Sequence, residues 1–205
     1  QVAYREAISR KVEDVRGLFK KQTGGRGQFG DCTISLEPFT AEQALAEELN
    51  FKDSIAFENG VVGGSVPKEF IPSIEYGVRQ TAIGGVTAGF PLINIKVTLT
   101  DGKYHPVDSS QVAFEQAGRL ALMEAVAKAG PVLLEPIMKV VVTVPEEYFG
   151  AVTGDISSRR GMIVEQEDRG VVKLVSCEVP LSEMFGYTTS LRSLTQGRGS
   201  NTMEF

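Results

Sequence analysis

Apolar and polar residues alternate cleanly over Cys32-Thr33-Ile34-Ser35-Leu36-Glu37, the mark of a half-buried strand. Residues 2–22 also read as extended: in Val12-Glu13-Asp14-Val15-Arg16-Gly17-Leu18-Phe19 no helical stripe emerges. Between these runs lies Gly24-Gly25-Arg26-Gly27-Gln28-Phe29-Gly30, whose glycines permit positive φ and close backbone approach. Two strands around such a connection predict a hairpin with a long exposed tip. A short helix is expected over 40–50, with Thr40 as N-cap and Gln43 completing a capping box. Residues 54–58 return to strand. Pro72 opens a second helix with Ile74, Val78 and Ala82 in register, and Gly84-Gly85 stops it. Residues 92–99 alternate as a strand that Asp101-Gly102 is expected to break. Asp108 then reads as an N-cap with Gln111 at the capping-box position. The helix after it runs to about Ala129, with a stripe of Phe114, Ala117, Ala121, Ala125 and Ala129 small enough to lie close to a sheet. Gly130-Pro131 ends it and suggests a domain boundary.

The remainder has its own rhythm. Residues 138–144 form a Val-rich strand, and Pro145-Glu146-Glu147 opens a helix with Tyr148, Val152 and Ile156 on one face. Residues 161–165 are a strand, Asp168-Arg169-Gly170 a hairpin turn, and 171–179 a strand. A helix is expected over 181–195 with Met184, Thr188, Leu191 and Thr195 in register, then a closing strand over 200–205. The order β-α-β-β-α-β is the split βαβ arrangement of ferredoxin-like domains. The whole chain is therefore expected to be α+β.

Composition narrows the classes. No apolar run approaches the roughly 18 residues of a membrane span, and the charged first residues do not resemble a signal peptide. The first residue is Gln, so the chain is expected to be processed or cut from something longer. Two cysteines and one histidine are too few for a structural zinc site, and two reduced thiols are expected. Net charge is −5, but residues 1–30 carry +4 and residues 31–75 carry −7. With a Debye length of about 8 Å at cellular salt, a local basic surface can meet RNA on an acidic molecule.

Several motifs invite catalytic readings. Gly25-Arg26-Gly27-Gln28-Phe29-Gly30 matches G-x-G-x-x-G, but a dinucleotide site needs a helix to start there, and here a strand follows. No G-x-x-x-x-G-K-[ST] phosphate loop occurs. His105, Asp108 and Ser109 mimic a triad within one local turn, which rarely supplies the required geometry. A hydrolase acting through Ser109 or Cys32 is the competing reading from another class. Arg26 and Gln28 suit phosphate or base edges. Arg159, Arg160, Arg192 and Arg198 read as solvated helix ends or phosphate contacts.

The ordered set of motifs then points to a family. Gln1-Val2-Ala3-Tyr4-Arg5-Glu6, the Gly24–Gly30 run, Val66-Pro67-Lys68-Glu69-Phe70-Ile71-Pro72, Tyr104-His105-Pro106-Val107-Asp108-Ser109-Ser110 and Leu133-Leu134-Glu135-Pro136-Ile137-Met138 resemble bacterial elongation factor G. So do Ser158-Arg159-Arg160-Gly161 and the stretch from Met184-Phe185-Gly186-Tyr187 to Arg198-Gly199. The resemblance implies domains four and five of that factor: residues 1–132 with a ribosomal-protein-S5-domain-2-like fold, and 133–205 with a ferredoxin-like fold. It implies a cytoplasmic, ribosome-binding part of a translocation GTPase, with no membrane role and no catalytic or metal residues in this chain. A paralogue acting in ribosome recycling or ribosome protection is the alternative. GTP and magnesium would belong to a GTPase domain outside the chain, leaving no cofactor here. The partners would be the decoding centre with its mRNA and tRNA, the factor-binding region of the large subunit, and the factor's own N-terminal domains. The implied tip is Gly24, Gly25, Arg26, Gly27, Gln28, Lys103 and His105, and Arg159 and Arg160 are implied contacts to large-subunit RNA. Two departures from the family pattern stand out. Pro106 replaces an acid after the tip histidine, and an acidic helix lengthens the segment 38–59.

Overall fold

The computed structural model describes residues 4–22 and 24–205. They form two compact units, Tyr4–Leu134 and Glu135–Phe205. The extended reading of residues 2 and 3 lies outside the described residues.

In the first unit β1 (Arg5–Ile8) precedes a long hairpin of β2 (Val12–Lys21) and β3 (Gln28–Pro38). There follow α1 (Ala41–Ala46), β4 (Ile55–Asn59), α2 (Ile71–Gly84), β5 (Ile95–Lys103), α3 (Gln111–Lys128) and β6 (Pro131–Leu134). The main sheet has the order β2-β3-β5-β4, antiparallel except for the parallel β4–β5 pair that α2 connects. Alternation does what was expected of it: Cys32, Ile34 and Leu36 on β3 and Val97 and Leu99 on β5 are fully buried. They face Ile74 and Val78 of α2 and Phe114, Ala117 and Ala121 of α3 in one core. The alanines let α3 sit low on the sheet, and Gly30 completes that fit. A Cβ there would overlap the carbonyl oxygen of Ala113.

Three local expectations change. Asp101-Gly102 does not end the strand: β5 takes up an irregularity at Thr100, opposite Thr33/Ile34, and Asp101, Gly102 and Lys103 stay paired to Thr33, Cys32 and Asp31. Asp108 does not cap α3. Ser110 does, its hydroxyl accepting the Ala113 N–H at 3.1 Å. α1 keeps the Thr40/Gln43 capping box but stops at Ala46 rather than near residue 50. Glu48 takes φ 56°, and the amides of Glu48 and Leu49 return to the carbonyls of Leu45 and Ala44. That is a Schellman stop with glutamate where glycine is usual. The expected boundary near residue 132 falls inside β6, which pairs antiparallel with β1.

The second unit comprises β7 (Ile137–Pro145), α4 (Phe149–Ser158), β8 (Met162–Arg169), β9 (Val172–Pro180), α5 (Tyr187–Thr195) and β10 (Ser200–Glu204). The sheet order is β10-β7-β9-β8, the βαββαβ arrangement read from the sequence. The helix expected over 181–195 is interrupted. A 3-10 turn, Leu181–Glu183, is followed by Gly186 at φ 74°, and only then by α5. Met184, Leu191 and Thr195 are buried as the stripe predicts, but one position changes. Tyr187 enters the core, and Thr188 faces solvent. Among the described residues no helix is long and apolar enough to cross a membrane.

Candidate nucleic-acid interface

The hairpin β2–β3 ends with Lys21 opposite Gln28, so residues 24–27 lie beyond the paired strands. β5 ends beside it, with Lys103 opposite Asp31. The chain then makes one tight turn, 105–109, before Ser110 starts α3. The two connections are stitched to each other. The Phe29 N–H donates to the Asp108 carbonyl at 2.9 Å, and the Ser109 hydroxyl donates to the Phe29 carbonyl at 2.9 Å. The Arg26 guanidinium donates to the Val107 carbonyl at 3.2 Å. The fit is close enough that a Cβ on Gly27 would press on the Asp108 carboxylate. The result is a single compact tip rather than two independent loops.

Gln28 and His105 are both exposed and line the same hollow, together with Lys20, Lys21 and Phe29. The rings of Phe29 and His105 lie with centroids 6.1 Å apart. Arg26 and Gln28 also border a neighbouring hollow with Val107 and Ser109. Four cations, Lys20, Lys21, Arg26 and Lys103, stand at this end against Asp101 and Asp108, while Asp31, opposite Lys103, is paired with Arg16. The tip is therefore positive while the chain as a whole is negative.

The turn itself is built on His105. Its Nδ1 accepts the N–H groups of Val107 at 3.3 Å and Asp108 at 3.0 Å. The Ser109 N–H closes on the His105 carbonyl at 3.0 Å, and the Ser109 hydroxyl accepts the His105 N–H at 3.0 Å. These bonds dispose of the triad. Ser109 is bonded to main chain, not to the imidazole, and the Asp108 carboxylate lies 3.8 Å from Nδ1, too far for a hydrogen bond. Cys32 is no better a nucleophile. Burial, with the charge of Asp31 added, pushes its thiol up to about 12. The Gly-rich run leads directly into β3 and not into a helix, so the dinucleotide geometry is absent there.

The arginines of the second unit are already engaged. Arg159, mostly buried, donates to Asp155 at 3.0 Å and to the Glu183 carbonyl at 2.6 Å, and its guanidinium lies 5.0 Å over the Tyr187 ring. It holds α4 to the segment before α5. Arg160, at φ 58° in the left-handed position after α4, forks onto Glu135 at 2.8 and 3.2 Å and reaches Glu183 at 3.2 Å. Its hydrogen bonds hold the Glu135 carboxyl below its usual range, although burial works the other way. Arg160 remains half exposed. Arg198 pairs with Glu147, and Arg192 is exposed.

The two tip loops read from the sequence included Phe29 and Ser109, but sequence reasoning missed Lys20 and Lys21 as parts of the tip. The two lysines were legible from hairpin register, since they immediately precede the loop. The Ser109 hydroxyl had no sequence signal, because it reaches across 80 residues to Phe29.

Comparison with known proteins covers the chain end to end. The model for elongation factor G, domain IV, matches residues 1–130, and the model for the elongation factor G C-terminus matches residues 132–205. The crystal structure of ttk003000868 from Thermus thermophilus superposes with a TM-score of 0.79 at 40% sequence identity, covering 100% of this chain and 29% of that one. The chain thus spans under a third of the length of the structure it matches.

Proposed function

The chain belongs to the elongation factor G family, and from that premise we propose that it is the ribosome-engaging part of a factor that moves tRNA and mRNA. In this reading the Tyr4–Leu134 unit carries the tip to the decoding centre, where Gln28 and His105 meet the codon–anticodon region. The Glu135–Phe205 unit faces the factor-binding RNA of the large subunit, with Arg160 and Arg192 available to it and Arg159 spent on the fold. GTP and magnesium are handled by other domains, and this chain makes and breaks no bonds.

One observation supports the reading most strongly: two connections far apart in sequence are bonded into one exposed, positive tip that presents Gln28 and His105 side by side. A few directional contacts on a modestly charged tip suit a factor that must leave in every cycle. Each phosphate neutralised would add about 0.7–0.9 to the log–log salt slope of affinity, strengthening a grip that must be released.

The test is the full-length factor carrying Gln28→Ala and His105→Ala together. The expected result is slow tRNA–mRNA movement in a single-turnover assay, with GTP hydrolysis continuing. Unchanged movement would refute the tip assignment. Unchanged movement with slowed subunit splitting would transfer the chain to ribosome recycling.

A further inference from the structure

The turn at the tip fixes more than the position of His105. Main-chain N–H groups can only donate, so a ring nitrogen that receives two of them must present a lone pair. Val107 and Asp108 both donate to Nδ1. The ring proton is therefore confined to Nε2, on a side chain about half exposed, at 49%. Among the described residues Nε2 has no hydrogen-bond partner. Pro106 strengthens the arrangement. It occupies the first position of the turn, where its missing N–H costs nothing, and its fixed φ suits the position. Ser109 completes the lock through the His105 N–H and carbonyl.

We propose that His105 works as an uncharged hydrogen-bond donor of fixed tautomer, reading an acceptor atom on RNA through Nε2–H. This rests on the tip reading above and adds the polarity of the contact. The four cations around the tip supply charge, and His105 supplies direction without charge. The acceptor is a 2′-hydroxyl oxygen or a base-edge acceptor in the codon–anticodon helix, both of which a neutral donor can address.

The chain has one histidine, so its imidazole nitrogens are assigned without ambiguity. Nitrogen-15 NMR of the 205-residue chain at pH 7.5 should show Nε2 protonated and Nδ1 bare. An Nδ1–H form, or both tautomers in comparable amounts, overturns the proposal. In the full-length factor on programmed ribosomes, His105→Asn keeps an acceptor near the Nδ1 position but loses the outer donor. His105→Gln keeps an outward N–H. Movement should fall about tenfold in the Asn variant, a single hydrogen bond's worth, and less than that in the Gln variant. An Asn variant as fast as the parent, or a Gln variant no faster than Asn, overturns the donor role. In either case the slow Gln28→Ala/His105→Ala factor would still uphold the tip itself. A codon with 2′-deoxyriboses assigns the acceptor. If the difference between parent and Asn factor vanishes, the acceptor is a codon 2′-hydroxyl; if it persists, it is a base edge or an anticodon 2′-hydroxyl.

Discussion

Glu6 offers the sharpest test of how the first unit is held together. Its side chain is buried, and among the described residues its carboxylate pairs with main-chain N–H groups rather than with a cation. Oε1 accepts the N–H groups of Val86 and Thr87, both at 2.8 Å, and Oε2 accepts those of Ala88 at 2.7 Å and Phe90 at 3.0 Å. Main-chain bonds to Pro91 and Ile93 at 2.9 and 3.0 Å fasten the same segment. That segment leads into β5, the strand that carries the tip turn. Glu6→Gln keeps one acceptor oxygen and puts an NH2 group against two N–H donors. Two part-buried amides lose their partner, at about 1–3 kcal/mol each. The remaining two lose the charge on their acceptor. A total of about 3–5 kcal/mol is a large fraction of a typical domain's 5–15. The chain has no tryptophan, so urea unfolding should be followed by circular dichroism.

The pH dependence of Glu6 has a definite sign. Burial alone would raise its carboxyl, but the four backbone bonds outweigh burial and hold it below its ordinary value. The stabilisation is thus complete above the unfolded value of about 4.3 and disappears as pH falls through the lower folded value. Glu6→Gln should flatten the loss of stability across that acid window. A Gln variant within about 1 kcal/mol of the parent, with the same acid slope, would refute the reasoning, since the cited bonds would then be worth less than one ordinary hydrogen bond.

Three further outcomes follow from named contacts. Gly30→Ala must push the first turn of α3 away from β3; it should cost about 1–3 kcal/mol in urea unfolding and slow tRNA–mRNA movement, because Ser110 and the tip turn move with that helix. Glu48→Gly relieves the left-handed stop after α1 and should raise stability by about 0.5 kcal/mol in the same assay, the balance of strain relief against added chain freedom. Isothermal calorimetry of the 205-residue chain with GTP should show no micromolar binding, since no phosphate loop is present in its sequence.

What the sequence made legible was periodic or local. Alternation over Cys32–Glu37 placed β3, the alanine stripe placed α3, and the strand–helix rhythm of the second unit emerged complete. The capping box of Thr40 and Gln43 needed only four residues to be read. What it hid depended on partners distant in the chain. Asp108 is as good a cap by type as Ser110, and it loses the role because its backbone is engaged by Phe29. Asp101-Gly102 looks like a break, yet pairing with Thr33 and Cys32 carries β5 through it. Arg159 and Arg160 looked free until the fold brought Glu183 and Glu135 to them. Gly186, through its left-handed φ, starts α5 late and puts Tyr187 rather than Thr188 in the core, which no apolar pattern encodes. At the tip, the residue types were visible as chemistry, and the resemblance named their role. Their assembly into one surface rests on the Ser109–Phe29 and Asp108–Phe29 bonds.

The tip can be placed directly by tethering a hydroxyl-radical source to it. Cys32 and Cys177 are buried, and burial pushes their thiols up to about 12 and about 11, so neither competes for the label. Arg26→Cys, introduced into the full-length factor with no other reactive thiol, would carry the source into the ribosome after GTP-driven binding. Cleavage of small-subunit RNA around the decoding centre is the predicted result. Cleavage confined to other RNA, or a pattern no different from that of a source at Lys128→Cys beside β6, would contradict it.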